Sequence, residues 1–167
     1  MMNFQLDFRP ISEADLDFLY QVYASTRQDE LDQLDWTATQ KAEFLQMQFT
    51  AQHRHYQEYF PEAEFQIILV DGRPAGRLYL SRWETEFRII DIALLPAVRG
   101  QGIGTTILRQ ISAEAEAQGL PVRIHVEQFN PALNLYLRLG FRKIGEQGVY
   151  FLMERVPVAQ PSSETNS

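Results

Sequence analysis

Apolar and polar residues alternate from Phe4 to Pro10, which predicts a strand with one buried face. Ser12 then stands in an N-cap position, and Leu16, Leu19, Tyr20 and Tyr23 recur at helical spacing, so a first helix is expected to about Ser25. The stretch RQDELDQLDW follows, and its acids Asp29, Glu30, Asp32 and Asp35 read as a solvated loop. Thr37 and Gln40 have the spacing of a capping box, which predicts a long second helix running to about Phe60 and closed by Pro61.

Beyond that helix the period changes. Glu64–Val70 and Arg77–Leu80 read as strands around Asp71-Gly72, with Pro74 and Gly76 lengthening the turn. Phe87–Leu95 is an apolar strand ended by Pro96. Ile103, Ile107 and Ile111 share one face of a third helix, expected to run to Gln118 and to be stopped by Gly119 and Pro121. Val122–Val126 is a short strand. Asn130-Pro131 and Gly140 bracket a fourth helix as N-cap, N1 and C′. Phe141–Ile144 and Val149–Glu154 form a last hairpin.

Antiparallel strands followed by strand–helix–strand–helix–strand imply an α+β fold, a three-layer α/β/α sandwich around a mixed, mostly antiparallel sheet of about seven strands. One domain over residues 1–156 is expected, with a disordered tail over 157–167.

Composition narrows the function. Hydrophobic residues make up 45% and charged residues 22%, as in ordinary globular chains. There is no cysteine, which excludes disulfides, thiolate metal sites and a cysteine nucleophile. No apolar run is long enough to span a membrane, and the first residues lack the layout of a secretory signal, so a cytoplasmic protein is expected. The formal charge of −7 disfavours nucleic acid as a partner and favours cationic acceptors through a screened, long-range field. His53 and His55 stand two apart on a helix, too splayed for a zinc pair, and no metal is expected.

The most informative segment is IIDIALLPAVRGQGIGTTILRQI. An apolar strand stops at Pro96, a glycine-rich loop follows, and a helix begins at once. Glycines let the backbone present successive N–H groups, and a helix start adds unpaired donors and partial positive charge. Together they suit a pyrophosphate. The spacing G-x-G-x-G, with Thr105 in the third-glycine position, does not fit the dinucleotide fingerprint, and no lysine is present for a Walker loop.

Arg99, Gly102 and Gly104 resemble the coenzyme A loop of the GNAT superfamily of N-acetyltransferases. A second block agrees: HVEQFNPALNLYLRLGF carries Asn130, Leu135-Tyr136 and Gly140-Phe141 in the order that superfamily uses. The expected element order over residues 4–154 is also similar to its acyl-CoA N-acyltransferase fold.

The resemblance implies acetyl transfer from acetyl-coenzyme A, as co-substrate, to a primary amine by direct attack in a ternary complex. The amides of Gly100, Gln101, Gly102, Ile103, Gly104 and Thr105 would wrap the pyrophosphate, with the Arg99 side chain nearby. It also implies a bulge in the Phe87–Leu95 strand, splayed from Val122–Val126. The pantetheine arm would pair with backbone near Ile92 and Leu94, Asn130 would touch that arm, and residues 27–60 would line the acceptor cleft. Tyr136, expected at the edge of an apolar helical face, is the candidate acid for the leaving thiolate. His125, Asp91 and Glu86 are candidate bases, each with a structural alternative as a packed or hydrogen-bonded residue. Superfamily members also use an ordered water. The acceptor, a small molecule or a peptide amine, stays open, as does a homodimer. A catalytically silent acyl-coenzyme A sensor or interaction module on the same fold is the competing reading.

Overall fold

The computed structural model of the chain describes residues 3–158. Seven strands and four α-helices alternate: β1 (Leu6–Pro10), α1 (Leu16–Asp32), α2 (Ala38–Tyr59), β2 (Glu64–Val70), β3 (Arg73–Arg82), β4 (Phe87–Leu94), α3 (Ile103–Ala117), β5 (Val122–Glu127), α4 (Leu133–Arg138), β6 (Arg142–Gln147) and β7 (Tyr150–Arg155). The strands form one mixed sheet in the order β1-β2-β3-β4-β5-β7-β6. The β1–β2, β2–β3, β5–β7 and β6–β7 ladders are antiparallel, and the β4–β5 ladder is parallel. The α+β reading and the mixed sheet of seven strands therefore hold. The residues group into two compact units, and β4 contributes its first half to one and its second half to the other.

The first unit takes the N-terminal part to Ser81 together with Asp91–Ile103. Its apolar cluster is Leu19, Tyr23, Leu31, Leu45, Phe49 and Ile67, with Phe49 packed against the rings of Tyr20 and Tyr23. Each such side chain taken from water contributes about 1.5–3 kcal/mol. Local signals set the helix starts. Thr37 Oγ1 accepts from the Gln40 amide at 3.1 Å and the Gln40 side chain accepts from the Thr37 amide at 2.9 Å, the reciprocal capping box expected. Before α1, the Asp15 carboxylate accepts from the Ser12 amide and from both terminal nitrogens of Arg9 at 2.9 Å. That arrangement lowers the Asp15 pKa to about 2, Arg9 being the largest cause.

Three expectations need correction here. β1 starts at Leu6 rather than Phe4. α1 continues to Asp32, so Asp29, Glu30 and Asp32 are exposed residues of a helix end rather than of a loop. The buried Leu31 explains this, since it joins the apolar cluster and carries the helix through the acidic stretch. The β2–β3 turn is the tight pair Asp71-Gly72, with φ of 52° and 80°, and Pro74 and Gly76 lie within β3. A ladder irregularity between Ile68 and Leu69 accommodates that proline.

The second unit takes Arg82–Ile90 and the chain from Gly104 onward. The parallel ladder runs from Phe87, Arg88 and Ile89 to Val122, Arg123 and Ile124. α3 buries Ile107, Leu108, Ile111 and Ala115, as its spacing predicts. An ion pair from Arg155 to Glu116 at 2.9 Å ties β7 to α3. The part of the tail from residue 159 on lies outside the described residues. Among the described residues, no helix is long and apolar enough to cross a membrane.

Candidate active site

The loop between β4 and α3 begins with a 3-10 turn at Pro96–Val98, and α3 starts at Ile103. Gly100 and Gly102 have φ of 77° and 85°, so both are in the left-handed region that side-chain-bearing residues occupy at a cost of about 1–2 kcal/mol. A Cβ built on either would meet nothing within 4 Å. Conformation, not crowding, demands glycine at these two positions. Left-handed residues alternating with others turn successive N–H groups toward one side, the geometry of an anion-binding concavity. Gln101, Gly100 and Gly102 are exposed, Ile103 is buried as the anchor of α3, and Gly104 and Thr105 are half-buried in its first turn. Arg99 Nε donates to the Leu94 carbonyl at 2.9 Å, which brings two predicted cofactor residues together. The residues thus fit a pyrophosphate: a run of glycine-rich backbone, a helix N-terminus and an adjacent guanidinium.

Along β4, Phe87 and Ile89 are buried, whereas Ile90–Leu94 are only half-buried. Leu94 is accordingly not a core residue. Asp91 sits 2.5 Å from Nη2 of Arg77, and the Tyr56 hydroxyl donates to the same carboxylate at 3.4 Å. Arg77 is 3% exposed and also donates to Gln52 at 2.9 Å. The carboxylate therefore balances a buried cation. Its oxygen is engaged by Arg77 and Tyr56, which gives Asp91 a structural role. The Arg77, Gln52 and Tyr56 partners escaped sequence reasoning, although one acid in an apolar strand stood out.

Glu86 is 6% exposed and precedes β4. It accepts from Arg88 Nε at 2.9 Å and from Arg123 Nη1 at 2.8 Å, and Arg123 also reaches Glu154. Its oxygens are committed to a four-residue ion network, so Glu86 is structural by the same argument. His125 is exposed on β5, between the buried Ile124 and Val126. Partial burial of its ring and the nearby Arg88 cation hold its pKa below the usual histidine value, with Glu86 opposing. It is neutral near pH 7, the form that accepts a proton.

Tyr136 is 4% exposed, with its ring edge-on to Phe141 at 5.6 Å. It is the most buried residue of α4 rather than an edge residue, while Asn134 and Arg138 face solvent as expected. Asn130 is exposed and is not the N-cap, which is Ala132. Its Oδ1 accepts from the Ala132 amide at 2.8 Å and its carbonyl from the Leu133 amide at 3.0 Å, so it shapes the turn leading into α4. Residues 27–60 divide: Phe49 is core, Trp36 is 40% exposed against Phe44, and Tyr56 reaches Asp91.

Residues 23–141 match the model of the Acetyltransferase (GNAT) family. A protein of Bacillus subtilis (strain 168) that carries the name of a ribosomal protein bS18 alanine N-acetyltransferase is 31% identical over 96 residues, 54% of this chain. The match spans 62% of that relative's length. In structure, the chain is similar to the PaiA N-acetyltransferase of Thermoplasma acidophilum in complex with coenzyme A, at a TM-score of 0.67 and 18% identity over 91% of this chain and 99% of that one. It is also similar to the ribosomal-protein-alanine N-acetyltransferase of Escherichia coli, at a TM-score of 0.60 and 17% identity over 95% and 98%.

Proposed function

The chain belongs to the acetyltransferase (GNAT) family, and from that premise we propose that it transfers acetyl from acetyl-coenzyme A to a primary amine by direct attack. The observation that carries this reading is the loop of Gly100 and Gly102, both left-handed, delivered onto the start of α3. Its amides, with those of Ile103, Gly104 and Thr105, would hold the pyrophosphate, and Arg99 would add a charge. Backbone of Ile92 and Leu94 would pair with the pantetheine arm, and Asn130 would touch it.

The chemistry then needs three services from the chain. The attacking nitrogen forms a bond to the thioester carbon, and the Leu94 amide stabilises the oxygen that becomes negative. His125 takes the proton the nitrogen sheds. As the carbon–sulfur bond breaks, Tyr136 gives its proton to the departing thiolate and is reprotonated from solvent.

The pKa values favour one class of acceptor. At pH 7 a lysine-like amine is neutral in roughly one molecule in 2,500, whereas an α-amino group is neutral in about one in eight. The second needs far less deprotonation by the enzyme before it can attack. We therefore assign a protein or peptide N-terminal amine as the acceptor, a class supported by the name of the B. subtilis relative. The test is thiol release from acetyl-coenzyme A over a panel of peptides and free amines. Activity with α-amines supports the assignment; release confined to polyamines or lysine side chains would overturn it. Coenzyme A binding with no release for any amine would favour a silent cofactor-binding module.

A further inference from the structure

Three consecutive residues of β3 hold the second half of β4, each by a different force. The Ala75 carbonyl accepts from the Leu95 amide at 2.8 Å. Gly76 lies so close that a Cβ built on it would sit 2.1 Å from the Ala93 carbonyl oxygen, a distance no side chain tolerates. Arg77, 3% exposed, forms the ion pair with Asp91. The guanidinium is further fixed by Gln52 and lies 5.2 Å over the Tyr79 ring. Between these anchors lie Ile92 and Leu94, whose backbone the proposed function uses.

An apolar pair of matching volume would fill the same space and stabilise the fold as well or better. What an ion pair adds is direction. A planar guanidinium held by a carboxylate, an amide and a ring has one orientation, and so does the residue it grips. We propose that Arg77 is a positioning residue for acetyl transfer: through Asp91 it sets the backbone of Ile92–Leu94 against the pantetheine arm and the thioester carbonyl. This rests on the coenzyme A reading given above.

The test separates the strand from the loop. Coenzyme A carries the pantetheine arm, whereas its fragment 3′-phosphoadenosine 5′-diphosphate carries the pyrophosphate alone. Both are titrated by calorimetry into the wild type and the Arg77→Met/Asp91→Asn double variant. Removing both partners leaves no uncompensated buried charge, so the double variant should melt near the wild-type temperature. It should bind the fragment as the wild type does but coenzyme A roughly tenfold more weakly. Unchanged affinity for both ligands, or an equal loss for both, overturns the positioning role. Should the double variant not fold, Arg77→Lys keeps the charge and loses the planar group over the Tyr79 ring, and the same selective loss is expected, with equal affinities again counting against the idea. If the wild type binds both ligands equally, the arm gains nothing from β4. The underlying reading then fails, a result distinguishable from failure of Arg77 alone.

Discussion

Tyr136 packs its ring against Phe141 whether or not it carries a hydroxyl. Tyr136→Phe should therefore fold and bind coenzyme A normally, yet lower turnover by about 10²–10⁴-fold, the range typical of general acids. Full turnover with chemistry rate-limiting would reduce Tyr136 to a packing residue. For His125 the sign follows from the form that reacts. As the proposed base, His125 would accept the proton in its neutral form, so activity should rise with pH through the histidine pKa, which burial and Arg88 place below the usual value of about 6.5. His125→Gln should remove that acidic limb from the pH–rate profile. A limb that persists in the variant points to a water relay, because Glu86 and Asp91 are both committed to arginines.

At the scale of elements, the loop of residues 99–102 is legible because its geometry is local. Two left-handed glycines and a helix start need no distant partner to form. Gly102→Asp tests it. The left-handed backbone makes the substitution cost about 1–2 kcal/mol, small beside a typical stability of about 5–15 kcal/mol. With no atom within 4 Å to clash, the variant should remain folded. Coenzyme A affinity should nonetheless collapse, because a carboxylate would occupy the pyrophosphate path; calorimetry showing unchanged affinity would refute the loop assignment. The capping box of α2 was equally legible. The end of α1 and the start of β3 were not. Leu31 extends the helix through tertiary burial, and a tight turn draws Pro74 into the strand.

For the whole molecule, 22 acids against 15 lysines and arginines give a formal charge of −7. The proposed acceptor, a peptide with a protonated N-terminus, would then be drawn in by a field that salt screens, the screening length falling from about 30 Å at 0.01 M to about 8 Å at 0.15 M. The KM for a cationic acceptor peptide should rise over that range while the KM for a neutral or anionic peptide does not. A salt response independent of peptide charge would show that the acidic surface plays no part in capture.

What the amino-acid order alone determined is what neighbouring residues decide between themselves: the element types and most of their order, a hairpin at Asp71-Gly72 though not its tightness, the cap at Thr37 and the glycine loop. Asp91 stood out in an apolar strand, but the sequence offered it as a candidate base and did not point to a buried arginine. Only the tertiary structure decided the partners. Arg77 meets Asp91 because β3 and β4 approach at Gly76, and Glu86 is claimed by Arg88 and by Arg123, 37 residues away. His125 owes its lowered pKa first to partial burial and then to Arg88, from another strand. Charge–charge interaction and desolvation depend on distance and burial in space, which sequence spacing does not carry, so the arginine partners of Glu86 and Asp91 waited for the fold.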